Sequence, residues 1–354
     1  MTDHDLPDLP TPDDAATHGF DEPFAPGTGE SFGARGSFCG VPHRRVDQVE
    51  PGEVVILGAP FDWGASHRPG ARFGPKAIRE ADYLPPDGSR PHLTAGVDPL
   101  VDLPVVDAGD AAIVGGYIAP SLTSIERYVH TVASRGGIPI VLGGDHTITF
   151  PDASGVARHH GFGRIALVHF DAHADTGEDQ WGQLHGHGTP MRRLIESGAV
   201  PGHRFVQIGL RGYWPPPETV AWMREQHMRS FTMEEVVQRG LERVVDEAVA
   251  HAAGPGPNGE EPAVGVFVSV DVDVVDPGMA PGTGTPEPGG LTSRQLLDTV
   301  RRLGRDLEVV GADVVEVAPH YDQPMDITAA LANRVVLELT TGMAERRRAV
   351  ATAP

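Results

Sequence analysis

Seven short runs limit what this chain can fold into: VVILGAP (54–60), VVDAG (105–109), IPIVLGG (138–144), IALVHFD (165–171), FVQIGLR (205–211), VGVFVSVD (264–271) and VVGADVVEVAP (309–319). Each is β-branched and apolar on both faces, as strands buried inside a parallel sheet must be. Between the runs lie amphipathic stretches of helical period at 121–135, 189–198, 234–250 and 291–304. The last opens with Thr292 and Gln295, the spacing of a capping box. Strand alternating with helix predicts an α/β fold of three layers, a mostly parallel sheet with helices on both faces. There is no internal repeat, and GPGPNGEE (254–261) reads as a surface loop within one domain spanning 37–354.

Residues 1–36 follow no such pattern. They are rich in Asp, Pro and Gly, with Phe20, Phe24 and Phe32 as isolated apolar points. This composition predicts a flexible acidic arm, or one that lies across a neighbouring subunit. The formal net charge of -21 argues against a nucleic-acid partner and favours solubility and cationic partners. No run is long enough to span a membrane, and the N-terminus lacks a basic-then-apolar signal, so a cytoplasmic location is expected. Cys39 is the single cysteine, which excludes an internal disulfide framework and a Cys-based metal site.

Several runs end in residues that are costly to bury. IVLGG leads into Asp145-His146, IALVHF into Asp171-Ala-His173-Ala-Asp175, VFVSV into Asp271-Val-Asp273, and VVEVAP carries Glu316. Ligands bind beyond the carboxyl ends of strands in open α/β sheets, so His146, Asp171, His173, Asp175, Asp271, Asp273 and Glu316 are predicted to share one cleft. Asp171, His173 and Asp175 alternate with small residues, and in extended backbone i, i+2 and i+4 point the same way. Asp271 and Asp273 repeat the pattern. Carboxylates this close cannot all stay ionised without cations. Two imidazoles and no thiolate make a hard-to-borderline donor set that suits Mn²⁺ better than structural zinc, with nickel as another divalent candidate.

These segments resemble the ureohydrolases, the family of arginase, agmatinase and the guanidino-acid hydrolases. The resemblance rests on GGDHT (143–147), FDAHADT (170–176) and SVDVDVVDP (269–277), with RPGARFGPKAIRE (68–80), HGTPMRR (187–193), APGTGTPEPGG (280–290) and VVEVAPHYD (314–322). It implies an arginase-like fold, a catalytic domain and two Mn²⁺ per chain. One ion would take His146, Asp171, Asp175 and Asp271, the other Asp171, His173, Asp271 and Asp273, so that Asp171 and Asp271 bridge. It further implies His187 as proton shuttle and Glu316 as the carboxylate that grips a guanidinium. His185 is a rival for the shuttle; His169 and His159 are expected to be structural or surface residues. A homo-oligomer, trimer or hexamer, is implied as well.

The implied chemistry is hydrolysis. A guanidinium is resonance-stabilised and strongly basic, so attack needs a water activated by the ion pair. Proton transfer to the departing amine would pass through Asp175 and His187, giving urea and an amine. The TGEDQWGQLHGHG segment after Asp175 is more similar to the agmatinase branch, which makes agmatine the first expected substrate and 4-guanidinobutyrate or another guanidino acid the second. Glu178 and Asp179 are expected to overhang the cleft and attract a cationic tail. A single-metal deacetylase-like enzyme and a non-catalytic subunit of a hetero-oligomer are the readings from other classes.

Overall fold

In a computed structural model that describes residues 36–257, 259–322 and 324–352, all seven predicted runs are strands and an eighth joins them. The acidic arm lies, except for Gly36, outside the described residues. In chain order the elements are β1 (Val54–Gly58), α1 (Gly74–Glu80), α2 (Pro99–Asp102), β2 (Val105–Asp110), α3 (Ile118–Ser134), β3 (Ile138–Leu142), α4 (Thr149–His160) and β4 (Ile165–Phe170). Then follow α5 (Pro190–Glu196), β5 (Phe205–Leu210), α6 (Pro217–Glu225), β6 (Arg229–Thr232), α7 (Met233–Arg239), α8 (Leu241–Ala253), β7 (Gly265–Asp271), α9 (Ser293–Asp306), β8 (Val309–Val315) and α10 (Ile327–Thr352).

The strands form one sheet in the order β2-β1-β3-β8-β7-β4-β5-β6, every neighbouring pair parallel. Side chains alternate across it, as the period of a strand requires. Val54 and Ile56 of β1 face a core shared with α1, α8, α9 and α10, while Val55 and Leu57 face one shared with α3, α4 and α5. Each large buried side chain in these layers, such as Phe170 or Phe267, contributes about 2 kcal/mol through loss of water contact. The capping box of α9 forms as predicted, the Thr292 hydroxyl accepting from the Gln295 amide and the Gln295 side chain from the Thr292 amide.

Helices α1, α2, α4 and α6 lie outside the four helical stretches read from sequence, and three further features differ. β6 (RSFT) is four residues long, pairs only with β5 and is partly buried, so it lacks the apolar run that marks the inner strands. The stretch 234–250 divides into α7 and α8 at Gly240, whose φ of 84° suits glycine and ends a helix. α10 spans 26 residues with buried residues around its circumference over most of its length, so no polar stripe betrays its period. Among the described residues no helix is long and apolar enough to cross a membrane. The described residues of the 254–261 segment, all but Asn258, form no helix or strand, as expected of a loop.

Candidate metal centre

The topology explains why the chemistry converges. The chain leaves β3, builds β4, β5 and β6 to one side, then returns to place β7 and β8 in the gap between β3 and β4. The four central neighbours β3, β8, β7 and β4 are therefore the strands whose carboxyl ends lead into His146, Glu316, Asp271 and Asp171. Gly144, just before Asp145, permits the first turn. A Cβ there would lie 1.8 Å from the Phe61 carbonyl oxygen, so only glycine lets the two backbones approach. Asp175 (φ 52°) and Glu316 (φ 65°) hold left-handed backbone that non-glycine residues seldom adopt, a local strain typical of functional positions.

His146 is buried, and its Nδ1 lies 3.0 Å from Asp171 Oδ2, 3.0 Å from Asp175 Oδ2 and 3.1 Å from Asp271 Oδ2. It meets hydrogen-bond geometry with none of the three. A buried nitrogen and three carboxylate oxygens aimed at one point are arranged as ligands of a cation, which is the fit test this donor set passes. A second group adjoins it: His173 Nδ1 is 3.4 Å from Asp171 Oδ1 and 3.1 Å from Asp273 Oδ2. Asp171 thus turns one oxygen toward each group. Two sets, His146 with His169, Asp171 and Asp175, and Asp171 with His173 and Asp273, are compact enough to hold an ion.

Electrostatics point the same way. Burial disfavours imidazolium at His146, yet Asp171, Asp175 and Asp271 outweigh it and push its pKa well above the ordinary value. Burial likewise opposes charge at His173, and Asp273 and Asp171 carry it up to about 12. Asp271 is raised well above the carboxylate range by burial and by its neighbours Asp273 and Asp171. Asp273 is also raised, by burial and Asp171. Asp171 goes the opposite way: burial is overcome by His169, His146 and His173, which hold it far below the usual range. So much mutual repulsion and forced protonation is what bound divalent cations relieve.

His187 occupies the floor of an adjoining cavity of about 350 Å³, lined also by Ser66, His173, Asp175, Asp179, Gln180, Trp181, Gly188, Trp214, Asp271 and Thr285. Its Nε2 accepts from the Ser66 amide at 3.1 Å and lies 2.6 Å from the Ser66 hydroxyl. Its Nδ1 bonds Glu316 Oε1 at 2.9 Å. Burial lowers the pKa of His187, but Glu316, with Asp145 and Asp175, pushes it up to about 9. Glu316 sits behind His187 instead of lining the cavity, and its Oε1 also accepts the His146 amide at 2.9 Å.

Some sequence expectations need correction. Of the two alternatives for His169, structural or surface, the structure shows a buried residue, and its Nε2 bonds Asp171 Oδ2 at 2.8 Å. Gln207 Nε2 contacts His169 Nδ1 at 3.0 Å and the Ala174 carbonyl at 2.8 Å, so the amide donates and the His169 proton resides on Nε2. Glu178 points away from the cavity, exposed, with Arg192 at 3.9 Å; Asp179 does line it. His185 stacks on Phe150 and does not line the cavity. Ser66, Asp145, Trp181, Trp214 and Thr285 were not singled out. Of these Asp145, Trp181 and Thr285 lay inside quoted motifs (GGDHT, TGEDQWGQLHGHG and APGTGTPEPGG), and Ser66 and Trp214 carried no signal; Asp145 accepts the Gly64 amide at 2.8 Å, and burial with Glu316 raises it to about 7.

A parallel sheet whose central strand ends gather His and Asp side chains into two adjoining donor groups defines an α/β protein with a metal-capable site. Residues 52–342 match the Arginase family, and the chain belongs to it. It is 40% identical over 294 residues to guanidinopropionase of Pseudomonas aeruginosa, covering 83% of this chain and 87% of that one. It is 38% identical over 289 residues to mitochondrial agmatinase of Gallus gallus, covering 81% and 80%. The solved structure of proclavaminate amidino hydrolase from Streptomyces clavuligerus superposes with a TM-score of 0.78 at 36% identity, over 89% of this chain and 99% of that one.

Proposed function

We propose that this protein is a dinuclear-metal ureohydrolase that cleaves a guanidino compound to urea and an amine, with agmatine preferred over 4-guanidinobutyrate and other guanidino acids. The observation that carries the reading is the cavity itself: it opens onto the His/Asp cluster, is lined by Asp175, Asp179 and Asp271, and has no Lys or Arg among the described residues of its lining. A guanidinium and a cationic tail are matched by these carboxylates, whereas a carboxylate tail finds no Lys or Arg to pair with among the described residues of the lining.

Two Mn²⁺ would be held by these donors, one by His146, Asp171, Asp175 and Asp271, the other by Asp171, His173, Asp271 and Asp273. Such a pair supplies Lewis acidity and an activated water. The chain's own residues do the rest. The negative charge of Asp175 and of Glu316, one layer behind the floor, favours the planar guanidinium cation. His187, at the floor, holds a proton at the cavity surface. In the neutral form Nδ1–H donates to Glu316 and Nε2 accepts from Ser66; in the imidazolium, Nε2–H turns to the Ser66 hydroxyl, which can accept. That second state is the proton donor for the departing amine. Trp181 and Trp214 flank the cavity as aromatic walls.

The test is urea release from a panel of agmatine, 4-guanidinobutyrate, 3-guanidinopropionate and arginine after Mn²⁺ loading, with elemental analysis of the same sample. The expected result is two ions per chain and the highest kcat/KM on agmatine. Full activity with one ion per chain refutes the dinuclear mechanism, and no urea from any substrate refutes the reaction.

A further inference from the structure

One side chain stitches the hairpin that follows Asp175 to the end of the cavity where His187 lies. The two arms of the hairpin meet through reciprocal backbone bonds, the Gln180 amide to the Gln183 carbonyl at 2.8 Å and the reverse at 3.0 Å. Trp181 (φ 53°) and Gly182 (φ 79°) make the two-residue turn between them, both in left-handed backbone, as a tight hairpin requires. Gln180 is half-buried and lines the cavity. Its Nε2 donates to the Gly64 carbonyl at 2.8 Å, across 116 positions, and its Oε1 accepts the Gly188 amide at 3.3 Å. A carbonyl can only accept and a backbone amide only donate, so these two partners fix the orientation of the carboxamide.

The same Gly64 carbonyl anchors the segment that carries His187. It also accepts the His187 amide at 3.1 Å, and the Gly64 amide in turn donates to buried Asp145 at 2.8 Å. Two residues further on, the Ser66 amide reaches His187 Nε2 at 3.1 Å. Gln180, Gly64, Ser66, His187 and Gly188 are thus joined by four hydrogen bonds, while Glu316 holds the other ring nitrogen of His187. The fit is close: a Cβ at Gly186, one residue before His187, would lie 2.6 Å from the Gln180 carboxamide. Residues 64–66 belong to no helix or strand, so bonds of this kind decide where the Ser66 amide and hydroxyl point.

We propose that Gln180 is a positioning residue for proton transfer: by tying the Gly64 carbonyl to the Gly188 amide, it holds Ser66 against Nε2 of His187. This role rests on the reading of His187 as proton donor to the departing amine. The nitrogen that delivers the proton is the one facing Ser66, because Glu316 occupies Nδ1. A small displacement of Ser66 leaves Nδ1 bonded and lets Nε2 swing out of line, which costs turnover more than binding. Loss of the Gln180 carboxamide leaves the hairpin closed, since neither its backbone bonds nor the Asp179 bond to the Gly182 amide at 2.8 Å uses that side chain.

Gln180→Leu should lower kcat for urea release from the preferred substrate about tenfold and change KM by less than about twofold. Introduced into His187→Asn, the same substitution should change kcat by less than about twofold, because the residue it acts through is gone. An equal loss in both backgrounds overturns the positioning role. A second arm needs neither metal nor substrate. In nitrogen NMR of the metal-free protein, Gln180→Leu should move the Nε2 signal of His187 and leave its Nδ1 signal and both ring signals of His185 in place. An unmoved Nε2 signal overturns the role, as does an equal shift at His185, which means loosened packing of the whole segment. Gln180→Glu is nearly isosteric, keeps an acceptor for Gly188 and loses only the donor to Gly64; it should repeat both results and stands in where Gln180→Leu fails to fold. A parent that releases no urea refutes the ureohydrolase reading, and the NMR arm then decides the Gln180 contact separately.

Discussion

Nδ1 of His187 donates to Oε1 of Glu316 at 2.9 Å, across 129 positions of sequence. The bond makes the stability of the metal-free protein depend on pH. An unfolded histidine titrates near about 6.5, whereas in the fold burial is outweighed by Glu316 and the group is pushed up to about 9. Below the lower value both states are protonated and the contribution is complete. As the pH rises toward about 9 only the folded state retains the proton, and the contribution is lost. Thermal melts of the metal-free parent and of His187→Asn should therefore converge between these limits as pH rises. A Tm difference that stays constant across that window refutes the assigned coupling.

Metal retention separates two kinds of residue at the cluster. Asp271 Oδ2 is 3.1 Å from His146 Nδ1, and its Oδ1 accepts the Asp273 amide at 2.9 Å. Asp271→Asn puts a weak neutral donor at this shared position and should lose metal and activity together. His187 lies outside both compact groups of donors. His187→Asn should keep the metal content of the parent while turnover falls by about a hundredfold, the scale of a lost proton donor. Metal analysis alongside urea release decides: a metal-free His187→Asn protein means its role is misassigned, and full activity turns attention to His185.

The sheet was legible in sequence because its inner strands are buried on both faces, which leaves long β-branched runs such as VGVFVSVD. β6 was not, because an edge strand of four residues needs no such run. The polar residues at strand ends stood out for the same reason: nothing but a ligand or a partner explains Asp171 and Asp271 after apolar strands. Illegible were contacts made by backbone and by distant loops. The Ser66 amide meets His187 across 121 positions, and no local pattern announces it. His169 looked like a structural residue within IALVHFD; only the neighbouring strand, which brings Gln207 beside it, shows that its proton points at Asp171. Glu178 and Asp179 are adjacent in sequence, and the turn closed by the Asp179 bond to the Gly182 amide at 2.8 Å helps decide which of them faces the cavity.

Backbone approach at Gly144 gives a prediction independent of chemistry. A methyl group there would stand 1.8 Å from the Phe61 carbonyl oxygen and 2.8 Å from that of Ala59. Neither neighbour is a flexible side chain, and Phe61 also accepts the Asp145 amide at 2.7 Å, so relief must break a bond next to the site. Gly144→Ala should cost about 3 kcal/mol in denaturant unfolding of the metal-free protein. Gly163→Ala, where a Cβ meets nothing within 4 Å but φ is 76°, should cost about 1 kcal/mol through the left-handed backbone alone. Equal losses in the two variants would mean that conformation, and not the close approach, makes Gly144 necessary.

The cavity lining makes a distinction within one dipeptide. Asp179 lines the cavity, whereas Glu178 is exposed and turned to Arg192 at 3.9 Å. A carboxylate at the mouth attracts the ammonium of agmatine and repels the carboxylate of 4-guanidinobutyrate, with an effect limited by solvent and salt. Asp179→Asn should lower kcat/KM for agmatine about threefold and raise it for 4-guanidinobutyrate by a similar factor. Glu178→Gln should change neither. The Asp179 effect should shrink as ionic strength rises toward about 1 M, where the screening length falls to about 3 Å. The change should also reside in KM, because the tail charge is the same in ground and transition states. A parent that prefers the guanidino acid refutes agmatine as substrate while leaving urea formation intact. A preference for agmatine that survives Asp179→Asn unchanged places the discrimination elsewhere in the lining.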